Sequence, residues 1–354
     1  MNLDHIELMD ALQYAQSLPG ESVNCVVTSP PYYGLRDYEV QGQIGLEETP
    51  EEFIDKLVSL FREIRRVLRS DGVCWVNMGD SYANDNKWGG STGGKHSNPL
   101  HGKTKIGRVR KFTGLPFKSL MLIPHKLAIA LQQDGWIVRM DVPWIKRNVL
   151  PEAVEDRATK AHEYVFMLTK TPHYWTDMDA VRRKQSGTAH SRGKGSAKKQ
   201  GERGLNRNNE SWNTSCTKYV DVPGGRNLRT SDLWTDSIEA RIAALRAELE
   251  ELEAVQQGQG VLTDGDAIAA FVVNTVANRA AHFAMYPLKL VEPMILSTCP
   301  SGGIVYDPFM GSGTTALAVR RLGGDRHFIG NDINPEYIAI ANRRLEESFQ
   351  LQLI

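Results

Sequence analysis

Cysteine is scarce in this 354-residue chain, with only Cys25, Cys74, Cys216 and Cys299, scattered without metal-ligand spacing. A small disulfide scaffold is excluded, no metal is expected, and free thiols in a reducing cytoplasm fit best. Long apolar runs are missing too. None approaches the ~18 residues that a membrane span needs. The first ten residues carry acids and lack the basic-then-apolar order of a signal peptide. Net charge is also absent, with 42 Lys and Arg against 42 Asp and Glu. Hydrophobic residues make up 41% and charged residues 24%, which excludes disordered and collagen-like chains. The length suits one large α/β domain with a smaller inserted module.

The zero net charge hides a segregation. Residues 83–120 hold Lys87, Lys95, Lys103, Lys105, Arg108, Arg110, Lys111 and Lys118 against one acid, Asp85. Residues 181–230 hold twelve Lys or Arg against Glu202, Glu210 and Asp221. Acids elsewhere restore the balance, as in Glu248–Glu253. Either block alone reads as a solvated loop. Two blocks interleaved with Trp88, Trp212, Tyr219, Asn206, Asn208 and Asn209 point to a polyanion such as nucleic acid.

Strands and helices alternate at both ends of the chain. His5–Met9 reads as a strand, Ala11–Leu18 as a helix, and Val23–Thr28 as a buried β-branched strand. Pro50–Leu68 has helical spacing, Ser70-Asp71-Gly72 ends it, and Val73–Met78 is a strand. Pro124–Gln133 reads as a helix, with strands around Trp136–Trp144 and Glu163–Thr169. Leu288–Thr298, Thr314–Leu322 and Pro335–Phe349 read as helices around strands Gly303–Tyr306 and His327–Gly330. The alternation predicts a parallel sheet covered on both sides by helices. Residues 83–116 interrupt it as a long Gly- and Lys-rich loop. Ser237–Val255 carries an a/d-like seam, Ile238, Ile242, Leu245, Leu249 and Leu252, too short for an independent coiled coil.

Two motifs carry chemistry. Asp307-Pro308-Phe309-Met310-Gly311-Ser312-Gly313-Thr314-Thr315 follows a strand and opens a helix. Its glycines permit close approach of a ligand, and Asp332, at the end of the next strand, suits the hydroxyls of a ribose. The third glycine of an NAD fingerprint and the GKS or GKT of a P-loop are both missing, so another nucleoside cofactor is expected. Ser29-Pro30-Pro31-Tyr32 follows the Val23–Thr28 strand. The prolines fix the backbone, Ser29 and the Pro30 carbonyl can accept from an exocyclic amino group, and Tyr32 offers a flat face. The same residues equally suit a strand-to-loop turn.

Together the motifs resemble those of S-adenosylmethionine-dependent DNA amino-methyltransferases. Ser29–Tyr32 is similar to the family's catalytic motif and Asp307–Thr315 to its cofactor motif. Their order, with a basic region between, resembles the circularly permuted β class. Met9-Asp10-Ala11 resembles the motif whose acid meets the adenine. His282-Phe283-Ala284 with Pro287 resembles the one beside the methionine part. Trp144-Ile145-Lys146 and His162-Glu163-Tyr164 resemble motifs near the target base. The likeness covers about residues 1–82, 117–180 and 271–345.

The resemblance implies a Rossmann-like three-layer sandwich with a mostly parallel sheet, circularly permuted and carrying inserted segments. It implies a catalytic part at 1–180, a target-recognition region at 181–270 with a helical insertion at 237–270, and a cofactor part at 271–354. It implies S-adenosylmethionine held by Asp10, His282, Phe283, Ala284, Asp307, Pro308, Phe309, Gly311, Gly313, Thr314, Thr315 and Asp332. Ser29, Pro30, Pro31 and Tyr32 would act on a flipped base, cytosine N4 ahead of adenine N6 because Ser29 replaces an aspartate. A cytosine-C5 reaction lacks its Pro-Cys pair. Duplex DNA would be gripped by Arg36, Lys103, Lys105, Arg108, Arg110, Lys111, Lys146, Arg182, Arg183, Lys184, Lys198, Lys199, Arg203 and Arg207. A homodimer through 237–255 and a cognate restriction endonuclease are further expected partners. The rival readings are an RNA or protein methyltransferase and a non-catalytic DNA-binding module.

The basic blocks generate a first prediction. DNA affinity should fall steeply with salt, as counterions released by phosphate contacts reassociate. Filter binding at low and moderate salt measures the slope, and a flat response would count against these blocks as the DNA grip.

Overall fold

The computed structural model describes residues 1–35, 40–83, 113–146, 149, 156–181, 260–264, 267–273 and 286–352. Its contacts divide the chain into two compact units. One comprises 1–181, 255–262 and 268–354, and the other 182–254 and 263–267. The second lies almost wholly outside the described residues.

Nine strands of the described residues form one sheet. They are β1 (His5–Leu8), β2 (Val23–Thr28), β3 (Leu68–Met78), β4 (Ile137–Ile145), β5 (His162–Thr169), β6 (Gly260–Asp264), β7 (Ala267–Val272), β8 (Ile304–Asp307) and β9 (His327–Asp332). Their order is β1-β9-β8-β2-β3-β5-β4-β7-β6. β1, β9, β8, β2 and β3 run parallel. β5 alone among β2 to β5 is reversed, pairing antiparallel with both β3 and β4. The carboxyl ends of the parallel strands and of β4 therefore share one edge with the amino end of β5.

Alternation along each strand builds two cores. Val26, Cys74, Val76, Tyr306 and Ile329 face α1 (Ala11–Ser17), α2 (Pro50–Val67) and α3 (Ile123–Gln133). Cys25, Val27, Val73, Trp75, Val305 and Phe328 face α4 (Leu288–Thr298), α5 (Thr314–Leu322) and α6 (Pro335–Gln352). The period of two places a helical layer on each face, which is the expected three-layer sandwich. α2 shows why the sequence chooses this. Thr49 caps its amino end by accepting from Glu52 N, Pro50 opens it, and Phe53, Leu57, Leu60, Phe61 and Ile64 are buried.

β3 starts at Leu68, directly after α2, rather than at Val73. The helix therefore ends before Ser70-Asp71-Gly72, and these residues lie within the strand, where the register with β2 shifts between Val23↔Leu68 and Cys25↔Val73. A larger correction concerns the insertion read as helical over 237–270. Gly260–Asp264 and Ala267–Val272 are strands, and β7 pairs with β4 at Trp144↔Phe271 and Ile145↔Val272. The β-branched and aromatic residues of this stretch, Val261, Thr263, Ile268, Phe271 and Val272, favour strand over helix. The boundary expected at 270/271 consequently falls inside β7. The Ser237–Val255 seam and the loop within 84–112 lie outside the described residues.

The turn from β8 to α5 depends on one glycine. Gly313 has φ +81°, and a Cβ there would stand 2.9 Å from Ala341 Cβ on α6. Gly313→Ala should therefore lower stability by about 1–3 kcal/mol, from left-handed strain and a close contact together. Urea denaturation measures it.

Candidate active site

The two motifs meet because β2 and β8 are neighbours, paired at Cys25↔Val305 and Val26↔Tyr306. From β2 the chain continues toward β3, and from β8 toward β9 on the other side. Strand order thus reverses between them, where ligands bind in open α/β sheets. A cavity opens there, lined by Ser29, Pro30, Pro31 and Tyr32 from one motif and Pro308, Phe309, Gly311 and Thr314 from the other. Asp10, Asn77, Trp144, Lys146, Glu163, Tyr286, Asp332 and Tyr337 complete much of its wall.

Asp307 ties the two motifs together but does not line the cavity. It is fully buried. Thr28 Oγ1 donates to its Oδ1 at 2.8 Å, and Phe309 N to the same oxygen at 3.1 Å. Tyr286 and Thr315 hydroxyls each donate to Oδ2 at 2.6 Å. Burial raises the Asp307 carboxyl and these four donors oppose the rise. Asp307 and Thr315, expected as cofactor contacts, are thus buried supports of the turn. Gly313 shapes the turn and is likewise absent from the lining.

Of the acids that face the cavity, two stand at adjacent strand ends. Asp332 closes β9, accepting from Gly311 N and Asn334 N at 2.8 Å each. Burial pushes its carboxyl up to about 6, against those two amides. Gly311, at φ +53°, turns its amide toward that carboxylate. Asp10 follows β1 and caps α1, with Oδ1 accepting from Leu12 N at 2.9 Å and Gln13 N at 3.1 Å. β1 and β9 pair with Leu8 opposite Asp332, which brings the two acids to adjacent strand ends.

Lys146 was expected among DNA contacts. It lies inside the cavity, ion-paired with Glu163, and only 15% of its side chain is exposed. Its ammonium sits 4.1 Å above the Trp144 ring. Arg36, Lys103, Lys105, Arg108, Arg110, Lys111, Arg182, Arg183, Lys184, Lys198, Lys199, Arg203 and Arg207 lie outside the described residues, as do His282, Phe283 and Ala284. Sequence reasoning missed Asn77 and Tyr286. Asn77 is a lone amide in an otherwise apolar strand, VCWVNM, and that anomaly was its visible signal. Tyr286 precedes Pro287 at the start of α4 with no comparable mark.

The sequence model of the DNA methylase family matches residues 23–343, most of the chain. The chain belongs to the DNA methylase family. Among curated proteins, this DNA methylase is 36% identical over 339 residues to the Type II methyltransferase M.Cfr9I of Citrobacter freundii, covering 95% of this chain and 86% of that one. It is 32% identical over 336 residues to the Type II methyltransferase M.SmaI of Serratia marcescens, covering 95% and 88%. Among solved structures it superposes on the cytosine-N4-specific PvuII DNA methyltransferase with TM-score 0.53 at 18% identity, over 95% of this chain and 84% of that one. That likeness concerns the fold. The chain is therefore a DNA methyltransferase, and its sheet is the methyltransferase sheet.

The Asp307 cradle of this DNA methylase is directly testable. Tyr286→Phe removes one of two hydroxyls on Oδ2 and should lower stability by about 1.5–3 kcal/mol, the range for hydrogen bonds to charged groups. Chemical denaturation reads this, and a loss below about 0.5 kcal/mol would remove Tyr286 from the cradle.

Proposed function

We propose that this DNA methylase transfers a methyl group to the N4 amino nitrogen of cytosine in duplex DNA. The observation that carries the reading is the placement of Ser29 and the Pro30 turn in one cavity with Gly311, Asp332 and Asp10. A serine leads the turn where an aspartate would favour adenine N6.

The methyl donor of this enzyme family is S-adenosylmethionine, and the cavity fits it. Asp332 offers a carboxylate beside the open Gly311 turn for the two ribose hydroxyls. Asp10 Oδ2 is free of the capping bonds, which use Oδ1, and can accept from the adenine amino group. Phe309 supplies an apolar face. When bound, the donor supplies an activated methyl group to the amino nitrogen.

The target amino group is a weak nucleophile because its lone pair is delocalised into the ring. The base must leave the stack to enter the cavity. Ser29 Oγ and the Pro30 carbonyl then accept its two amino hydrogens, drawing the nitrogen toward tetrahedral geometry and freeing the lone pair. Tyr32 holds the ring by stacking. Acceleration comes chiefly from positioning, with hydrogen bonds that strengthen as charge develops. Residues 181–270 and the 83–116 loop serve target recognition and phosphate contact. The Type II names of the relatives support a cognate restriction endonuclease, and a DNA substrate supports a cytoplasmic location in a bacterium or a phage-infected host. Self-association through 237–255 completes the proposal.

Labelled S-adenosylmethionine, mixed duplex DNA and mass spectrometry of the nucleosides test the reading. N4-methylcytosine is the expected product, abolished in Ser29→Ala. N6-methyladenine would overturn the base assignment. No transfer to any DNA would overturn the whole reading.

Asp332 adds a pH prediction. Ribose hydroxyls donate to its ionised form, so binding favours deprotonation. Below about pH 6 the carboxyl is protonated and one acceptor is lost; above it the carboxylate is intact. Affinity for S-adenosylhomocysteine should rise as pH increases from 5 and level off near 7, by at most about tenfold per unit. Calorimetry across that range measures it, and a flat dissociation constant would remove Asp332 from the ribose site.

A further inference from the structure

The wall that carries Tyr32 is one hydrogen-bonded cluster. Tyr32 donates its hydroxyl to Glu163 Oε2 at 2.6 Å. Asn77 Nδ2 lies 3.0 Å from the Tyr32 hydroxyl and from Glu163 Oε2, and 3.3 Å from Ser29 Oγ. Glu163 Oε1 pairs with Lys146 Nζ. Both partners of that pair are 15% exposed. A pair this sheltered contributes little net stability, because desolvation offsets the attraction. Its value lies in what it holds.

What it holds is the ring of Tyr32. A Cβ on Gly79 would fall 2.6 Å from Tyr32 Cε2, 3.1 Å from Cδ2 and 3.2 Å from Cζ. Only a glycine lets the backbone lie so close to the ring. The ring is thus backed by Gly79 and tethered through its hydroxyl. Burial, followed by the neighbouring Glu163 charge, raises the phenol well above its ordinary value, so the hydroxyl remains a donor. The geometry also explains why Glu163 opens β5. That strand is reversed, so its first residues reach the catalytic edge, where Glu163 stands opposite Trp144.

We infer that Glu163, held in place by Lys146, is a positioning residue that locks the Tyr32 ring in the pose on which the target base stacks. The inference rests on the stacking role proposed for Tyr32. The donor-facing acids Asp10 and Asp332 make no bond to this cluster, so loosening Tyr32 should slow transfer without weakening donor binding.

A kinetic double-mutant cycle on methyl transfer to DNA tests this. Tyr32→Phe keeps the ring and removes the tether; Glu163→Ala removes the other end. Each should lower kcat on the order of 10- to 100-fold, as expected for a misplaced reactant. The double variant should be no slower than either single, because both break one interaction. Affinity for S-adenosylhomocysteine should stay at the wild-type value, and Glu163→Gln, which still accepts from the hydroxyl, should recover most of the rate. Multiplying losses, or wild-type kcat in Glu163→Ala, would overturn the inference. Gly79→Ala asks the same question without touching the ion pair. It should lower kcat at unchanged donor affinity, and wild-type kcat there would also overturn the inference. A wild-type protein that methylates no DNA refutes the underlying reading instead, so the two failures are told apart.

Discussion

The hydrogen bond from Thr28 to Asp307 joins two motifs 279 residues apart in sequence. Thr28 is the last residue of β2 and Asp307 the last of β8, so the bond fixes the relative height of the two strand ends. The Ser29–Tyr32 turn leaves from one partner, and the Pro308–Gly313 turn from the other. Distance between the amino-group acceptors and the donor-facing turn is therefore set by a buried side-chain contact. The surrounding donors to Asp307 make the same point energetically. A carboxylate without solvent must have its lone pairs filled, and each group that fills one is anchored on a different element: β2, the turn itself, the segment leading into α4, and α5.

Around that anchor the sheet polarity sorts the chemistry. Parallel strands deliver Asp10, Ser29, Asp307 and Asp332 to one edge by their carboxyl ends. β5 delivers Glu163 to the same edge by its amino end, because it runs the other way. In the proposed reading, the donor side of the cavity comes from β1, β8 and β9, and the base side from β2, β3, β4 and β5. The division has a chemical logic. The donor side presents acids and backbone amides to a polar nucleoside. On the same reading the base side presents a hydrogen-bonded cluster, with Lys146 balancing Glu163, that exposes one ring and two acceptors.

Much of this was legible in the sequence. β-branched runs and helical spacing placed β2, α2, α4 and α5 to within a residue, since local pattern and burial agree there. Ser29–Tyr32 and Asp332 were recognisable because their chemistry sits at strand ends, and Asp10 through the resemblance of Met9-Asp10-Ala11 to a family motif. The sequence was silent where meaning depends on a distant partner. Lys146 was placed among DNA contacts, near the target base, by resemblance alone, and nothing local to it shows that a glutamate seventeen residues on pairs with it. Asp307 and Thr315 read as ligand contacts because a motif shows which residues recur beside a cofactor, without showing which of them turn inward. The β6 and β7 strands were hidden by a preceding helical pattern that was extended too far.

The pairing of β1 with β9 has a consequence for synthesis. Asp10 is made long before Asp332, yet their strands are adjacent. β1 emerges from the ribosome long before its partner exists and waits as an edge without a neighbour. The donor pocket can close only once β9 has been added, so a nascent or prematurely ended chain would carry the base-facing wall with no means of charging it. In this order of elements, the proposed donor site is complete only when β9 has been made.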